Sequence, residues 1–181
     1  CVANGINEAV AGQIYEDMMD FAKYAFNKSH AACYAVVAYQ TAYLKYYYPV
    51  EFMAALMTSV IDNPSKVAEY ILNCKQMGIA ILPPDINVGY AGFSVSEKGI
   101  HYGLSAIKSI GRSVIEAIVA ERKENGTYKN LKDFISRLSN KEVNKRTIEN
   151  FIKSGALDCL EGTRKQKMLV YVQIIDEAAR D

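Results

Sequence analysis

From Ala31 to Leu44 the chain carries no charge at all, and alanine, valine and tyrosine fill most of the stretch. A membrane-spanning helix needs about eighteen uninterrupted apolar residues, and Gln40, Thr41 and several tyrosines break this run short of that. The stretch therefore predicts a helix packed in protein, starting near Ser29 and stopping before Pro49, whose ring cannot continue it. Its small alanines would let neighbouring helices approach closely. Tyr34, Tyr39, Tyr43 and the run Tyr46 to Tyr48 either half-bury against neighbours or offer ring faces to bases.

The same punctuation orders the flanking segments. Ile6, Val10, Ile14, Met18 and Phe21 recur every three or four residues, the period of an amphipathic helix. Pro49 and Glu51 suit the first turn of a helix running through Val60. Asn63-Pro64 reads as a cap and a first-turn proline, opening a helix to Met77 that Gly78 ends. Ile79 to Leu82 looks extended, closed by Pro83-Pro84, after which Asp85 and Asn87 shape a turn. Phe93 to Ser96 and Ile100 to Tyr102 flank Glu97-Lys98-Gly99, a β-hairpin with glycine at its turn. The expected fold is mainly α: a helical piece over residues 1–82, then a small β-hairpin and a tandem helix-hairpin-helix-like region over 83–181.

With 181 residues, half of them hydrophobic, the chain can bury a real core. Its net charge of +1 announces no nucleic acid globally, so any binding face has to be local. Lys and Arg do become plentiful from Lys123 to Lys167. Cys1, Cys33, Cys74 and Cys159 are scattered without a CxxC pair, the pattern of free thiols in a reducing cytoplasm. Two histidines and no cysteine cluster argue against zinc. Opening on Cys1 with no charged-then-apolar leader, the chain shows no secretory signal and reads as an excised piece of a longer protein.

Two constellations carry chemistry. Asn27, Lys28, Ser29 and His30 gather an amide, an ammonium, a hydroxyl and an imidazole at a predicted helix start, where side-chain donors and backbone N–H groups can meet an anion. Asn and Ser also cap helices without binding anything, so both readings stay open on the residues alone. His30 has no carboxylate partner in the motif and makes no general acid–base arrangement. Further on, Gly103 to Val119 reads as short helix, tight turn, longer helix. Leu104, Ile107 and Ile110 lie three apart, and Val114, Ile115 and Ile118 continue a buried face. The turn Ser109-Ile110-Gly111 holds a hydrophobic residue where a helix-hairpin-helix motif places one between two glycines. Such a turn aims the N–H groups of the second helix's start at a DNA phosphate. Lys108 and Arg112 add positive charge and Ser113 a hydroxyl. Ser109 departs from the motif's first glycine: serine tolerates positive φ poorly, so the loop is either less open or does not need that conformation. A plain packed αα-hairpin is the competing reading. A second, weaker unit pairs Leu131, Phe134, Ile135 and Leu138 with a helix opened by Asn144 and ended by Gly155. Lys141, Lys145 and Arg146 there either extend a backbone-tracking strip or are solvated charge.

The run Phe21 to Lys45, with Tyr48-Pro49-Val50-Glu51-Phe52-Met53-Ala54-Ala55 and Leu82-Pro83-Pro84-Asp85-Ile86-Asn87, resembles the alpha subunits of bacterial DNA polymerase III, the replicative polymerases of the C family. The likeness runs from about Asn4 to Asp158 in the family's order and spacing. It implies the latter half of a fingers domain followed by the helix-hairpin-helix region. By resemblance, Asn27, Lys28, Ser29 and His30 contribute to the pocket for the triphosphate of the incoming deoxynucleotide. Lys108, Ser109, Ile110, Gly111, Arg112 and Ser113, with Lys145 and Arg146, would touch the duplex backbone without reading bases. The implied parent is a DNA-directed DNA polymerase of the bacterial cytoplasm whose Mg²⁺ ions sit on palm aspartates. Asp17, Asp20 and Asp62 form no such carboxylate group, so this piece alone should be inactive and hold no cofactor. Implied partners are primer-template duplex, incoming dNTP, the rest of the polymerase chain, and replisome subunits through regions outside these residues, with no membrane. Three alternatives remain: a stand-alone helix-hairpin-helix DNA-binding module, a purely structural or interaction helical domain, and a repair-type paralogue of the same polymerases.

Overall fold

The computed structural model describes residues 2–24, 28–138 and 144–180. Contacts divide the chain into two units, Cys1–Tyr47 and Tyr48–Asp181. The first unit holds two long helices, α1 (Glu8–Tyr24) and α2 (Lys28–Tyr47). Asn7 opens α1, its side-chain oxygen accepting the Ala9 N–H at 2.9 Å. The predicted stripe is present on α1, yet Val10, Ile14, Met18 and Phe21 are all exposed, Phe21 at 71%. No described residue of α2 is buried. The half-buried tyrosine packing expected there is not found: Tyr34, Tyr39, Tyr43, Tyr46 and Tyr47 are exposed, and rings meet mainly along the helix, as Tyr43 and Tyr47 do at 4.4 Å.

In the second unit, α3 (Pro49–Ser59) begins with its proline in the first turn. The helix α4 (Pro64–Gln76) is capped by Asn63, whose side chain accepts the Lys66 N–H at 3.1 Å. It ends as predicted. Gly78 takes φ +73°. The Gly78 and Ile79 N–H groups return to the Lys75 and Cys74 carbonyls, a Schellman closure. A three-stranded sheet follows, with β1 (Ile81–Leu82) parallel to β3 (Gly99–His101) and β2 (Ser94–Ser96) antiparallel to it, in the order β1-β3-β2. Gly99 sits at φ +134°, where a Cβ would fall 2.3 Å from the Ala80 carbonyl oxygen. The hairpin residue must therefore be glycine. Met53, Met57, Val67, Cys74 and Ile100 form the core of this part.

A larger core gathers Ile86, Leu104, Ile115, Ile118, Phe134, Ile148, Phe151 and Leu157. Its helices are α5 (Arg112–Asn125), α6 (Leu131–Leu138), α7 (Lys145–Ser154) and α8 (Arg164–Ala178). Asn144 caps α7 and Gly155, at φ +85°, closes it. The turn after Pro84 is pinned into this core. Asp85 accepts the Asn87 N–H at 2.7 Å, and Asn87 exchanges two hydrogen bonds with the Tyr128 backbone. Buried Arg122 donates to the Ile86 and Gly89 carbonyls at 2.7 and 2.9 Å. The mainly helical fold with its small hairpin is as expected. The helix α8 was not, although Thr163 and Gln166 form a complete capping box.

Candidate nucleic-acid interface

The first hairpin starts at Gly103, where a Cβ would press within about 3 Å of the backbone at Ala91 to Phe93, so only glycine fits. A single 3-10 turn, Leu104–Ala106, replaces the expected short helix. Leu104, Ile107 and Ile110 point into the core, so the chain between them has to bulge outward. It does so at Ser109, which takes φ +63°, the one non-glycine with positive φ among the described residues. Neither outcome offered by the sequence is realised: the first position takes the left-handed conformation, and serine adopts it at a cost of about 1–2 kcal/mol. Gly111 has ordinary extended geometry, φ −70° and ψ 146°, and caps α5 with no side-chain hydrogen bond. A Cβ there would meet only the Ser113 hydroxyl at 3.7 Å, so the fold does not demand glycine. What its bareness leaves open is the approach to the first turn of α5.

Around this turn the structure assembles three of the predicted cations. Lys108 is exposed beside it. The Arg112 Nε donates to Glu116 Oε1 at 3.0 Å, an exposed i,i+4 pair that opens at little cost. Arg146 comes from α7, thirty-seven residues away, and places Nη2 3.4 Å from Ser109 Oγ. One turn further along α7, Asn150 donates to the Lys108 carbonyl at 3.2 Å. Lys145 points elsewhere: its Nζ lies 2.7 Å from Asp176 on α8. Lys141 falls outside the described residues.

The first cluster is less complete. Lys28, Ser29 and His30 form the exposed first turn of α2, with the His30 ring 4.5 Å from that of Tyr34. Asn27 lies outside the described residues. Among the described residues no three of His, Cys, Asp and Glu stand close enough to hold a metal ion, and no helix is long and apolar enough to cross a membrane. Cys33, Cys74 and Cys159 are free thiols. Burial, reinforced by Asp85, pushes the Cys159 thiol up to about 12, so it stays protonated.

Sequence reasoning missed Asn150 and Arg122. Asn150 was legible in principle, since it lies four residues beyond Arg146 and so shares its helix face. The pairing of that face with the hairpin was not.

The architecture defines a class first. The family described as a helix-hairpin-helix motif matches residues 78–167, spanning both hairpins. Curated relatives then narrow it. The DNA polymerase III subunit alpha of Chlamydia trachomatis is 42% identical over 99% of this chain. That of Vibrio cholerae is 48% identical over 98%, and that of Thermus aquaticus 47% over 85%. The chain belongs to the DNA polymerase III alpha-subunit family. It spans 14%, 15% and 13% of the length of those three relatives.

Proposed function

We propose that this chain is the part of a bacterial replicative DNA polymerase that joins the latter half of the fingers, residues 1–82, to the helix-hairpin-helix region, residues 83–181. Its second part holds the duplex behind the active site by phosphate contacts. The observation that carries this is the Ser109–Gly111 turn: an outward bulge, an open helix start, and Lys108, Arg112 and Arg146 converging on it. Lys145 adds less, since Asp176 already draws on its charge. Such contacts read no bases, so binding is sequence-independent and salt-sensitive.

Asn27, Lys28, Ser29 and His30 serve the triphosphate of the incoming dNTP as donors at the start of α2. The longer protein joins the primer's 3′-hydroxyl to the nucleotide's α-phosphate and releases pyrophosphate. Aspartates elsewhere in the longer chain hold the Mg²⁺ ions for that chemistry, and these residues bind and orient. The remaining polymerase chain and replisome subunits are the further partners, in the bacterial cytoplasm.

The test is duplex binding by this chain over a salt series, beside a Lys108→Ala/Arg112→Ala variant whose helicity is checked by circular dichroism. The variant should bind more weakly, with a log–log salt slope lower by about two. Equal slopes in the two folded proteins would remove the hairpin from the interface.

A further inference from the structure

Beside the hairpin turn lies an open pocket of about 490 Å³ lined by Lys108, Tyr102, Asn150, Lys153 and Ser154, with no carboxylate among its lining residues. We propose that this pocket is a second phosphodiester site, holding the backbone of the same DNA strand that the turn engages. The proposal rests on the duplex-binding reading above and extends the footprint onto α7.

Three observations support it. The pocket presents two ammonium groups, the Tyr102 hydroxyl and the Asn150 amide as donors, while the Ser154 hydroxyl already donates to the Phe151 carbonyl. Burial keeps the Tyr102 phenol above its ordinary titration range, so it remains a neutral O–H donor. Second, Arg146, Asn150 and Lys153 are spaced four and three apart, which puts them on one face of α7. The first two already grip the turn, through Ser109 Oγ and the Lys108 carbonyl. From Arg146 to Lys153 the helix rises about 10 Å. A strand winds around the duplex axis, so its successive phosphates lie about twice as far apart as the axial rise of about 3.4 Å per nucleotide; the span covers about two phosphates, enough for one strand to lie on the turn and the pocket together. Third, Lys153 is not locked away from a ligand. Its ion pair with Glu149 is an i,i+4 contact on the same helix, and the lysine side chain is 61% exposed. Glu149 thus acts as a placeholder that a phosphate displaces.

The experiment is duplex binding by the 181-residue chain to a short mixed-sequence duplex, across roughly 50 to 200 mM salt. Lys153→Ala should lower the slope by about one, so its loss of affinity over that range is about threefold smaller than the parent's. Lys153→Arg should hold the slope, and Glu149→Gln should tighten binding by freeing the ammonium. An unchanged slope in Lys153→Ala, with Lys108→Ala/Arg112→Ala still lowering it, overturns the pocket site and leaves the hairpin reading intact. No effect in either variant overturns both. Competition by inorganic phosphate or pyrophosphate at matched ionic strength, with an unchanged Lys153→Ala slope, assigns the pocket to a free anion and overturns the strand assignment.

Discussion

Along α1, Val10, Ile14, Met18 and Phe21 recur every three or four residues and all stay exposed; along α6, Leu131, Phe134, Ile135 and Leu138 recur at the same spacing and are all buried. The local pattern is the same in kind and the outcome opposite. Periodicity states which face of a helix is apolar. It does not state whether the chain supplies a surface to cover that face. For α6 it does: Tyr128 and Phe151 meet Phe134 edge-on with ring centroids at 4.9 and 6.1 Å, and α8 packs alongside. For α1 no described residue buries the stripe. The stability of this chain therefore resides in residues 48–180.

The largest expected effect follows from that division. Phe134 is fully buried between two aromatic rings. Phe134→Ala should therefore destabilise the chain by about 3–5 kcal/mol in urea unfolding. A loss under about 1 kcal/mol would mean that the α6 core is as loosely covered as α1.

Smaller, and sharper as a probe of the same core, is the alkaline limb. The Tyr128 hydroxyl donates to the Ile118 carbonyl at 2.9 Å, and burial, only partly opposed by nearby Arg137, pushes the phenol up to about 12. In the unfolded chain it titrates near about 10. The raised folded value means its contribution is whole below about pH 10 and is lost as pH climbs towards about 12, where the unfolded chain sheds the proton first. Tyr128→Phe should cost about 1 kcal/mol at neutral pH and flatten that limb. What remains comes from Tyr102, Cys74 and Cys159, whose shifts have the same sign. An unaltered alkaline slope in the variant would place the titration elsewhere.

How much of this was legible beforehand divides along the same line. The starts and stops at Asn63-Pro64, Gly78, Asn144 and Gly155 lie where the residues indicated, because caps and left-handed closures are local events. The hairpin of β2 and β3 was legible for the same reason. What was not legible is long-range. Arg146 reaches Ser109 across 37 residues, Arg122 holds carbonyls 36 and 33 residues back, and Lys145 is drawn to Asp176 on a helix that the periodic reading passed over. The faint apolar stripe of α8 explains that omission, though the pattern Thr163-x-x-Gln166 marked its start. At Ser109 the departure from glycine was visible and its consequence was not, since only the backbone reveals which of the motif's two small positions bears the left-handed angle.

Ser109 also offers a modest gain. It holds φ +63°, a strain that Ser109→Gly should relieve. Glycine gives back part of that gain through a freer unfolded chain, for a net stabilisation of about 0.5 kcal/mol. The same change removes the hydroxyl that Arg146 meets, so duplex affinity should fall while stability rises. Opposite signs in the two measurements would show that the strain is kept for the interface, whereas a loss in both would make Ser109 a structural residue.

The smallest effect bears most directly on the contrast between α1 and α6. Met18→Ser removes a large apolar side chain from the α1 stripe, a change that in α6 would open the core. Here the side chain is 64% exposed, and the unfolding free energy should move by no more than about 0.5 kcal/mol. The change should instead lower self-association in concentration-dependent sedimentation, since exposed apolar stripes of this length are what drive it. A destabilisation above about 1 kcal/mol would show that the stripe is covered in solution, and the division of stability between residues 2–47 and 48–180 would have to be redrawn.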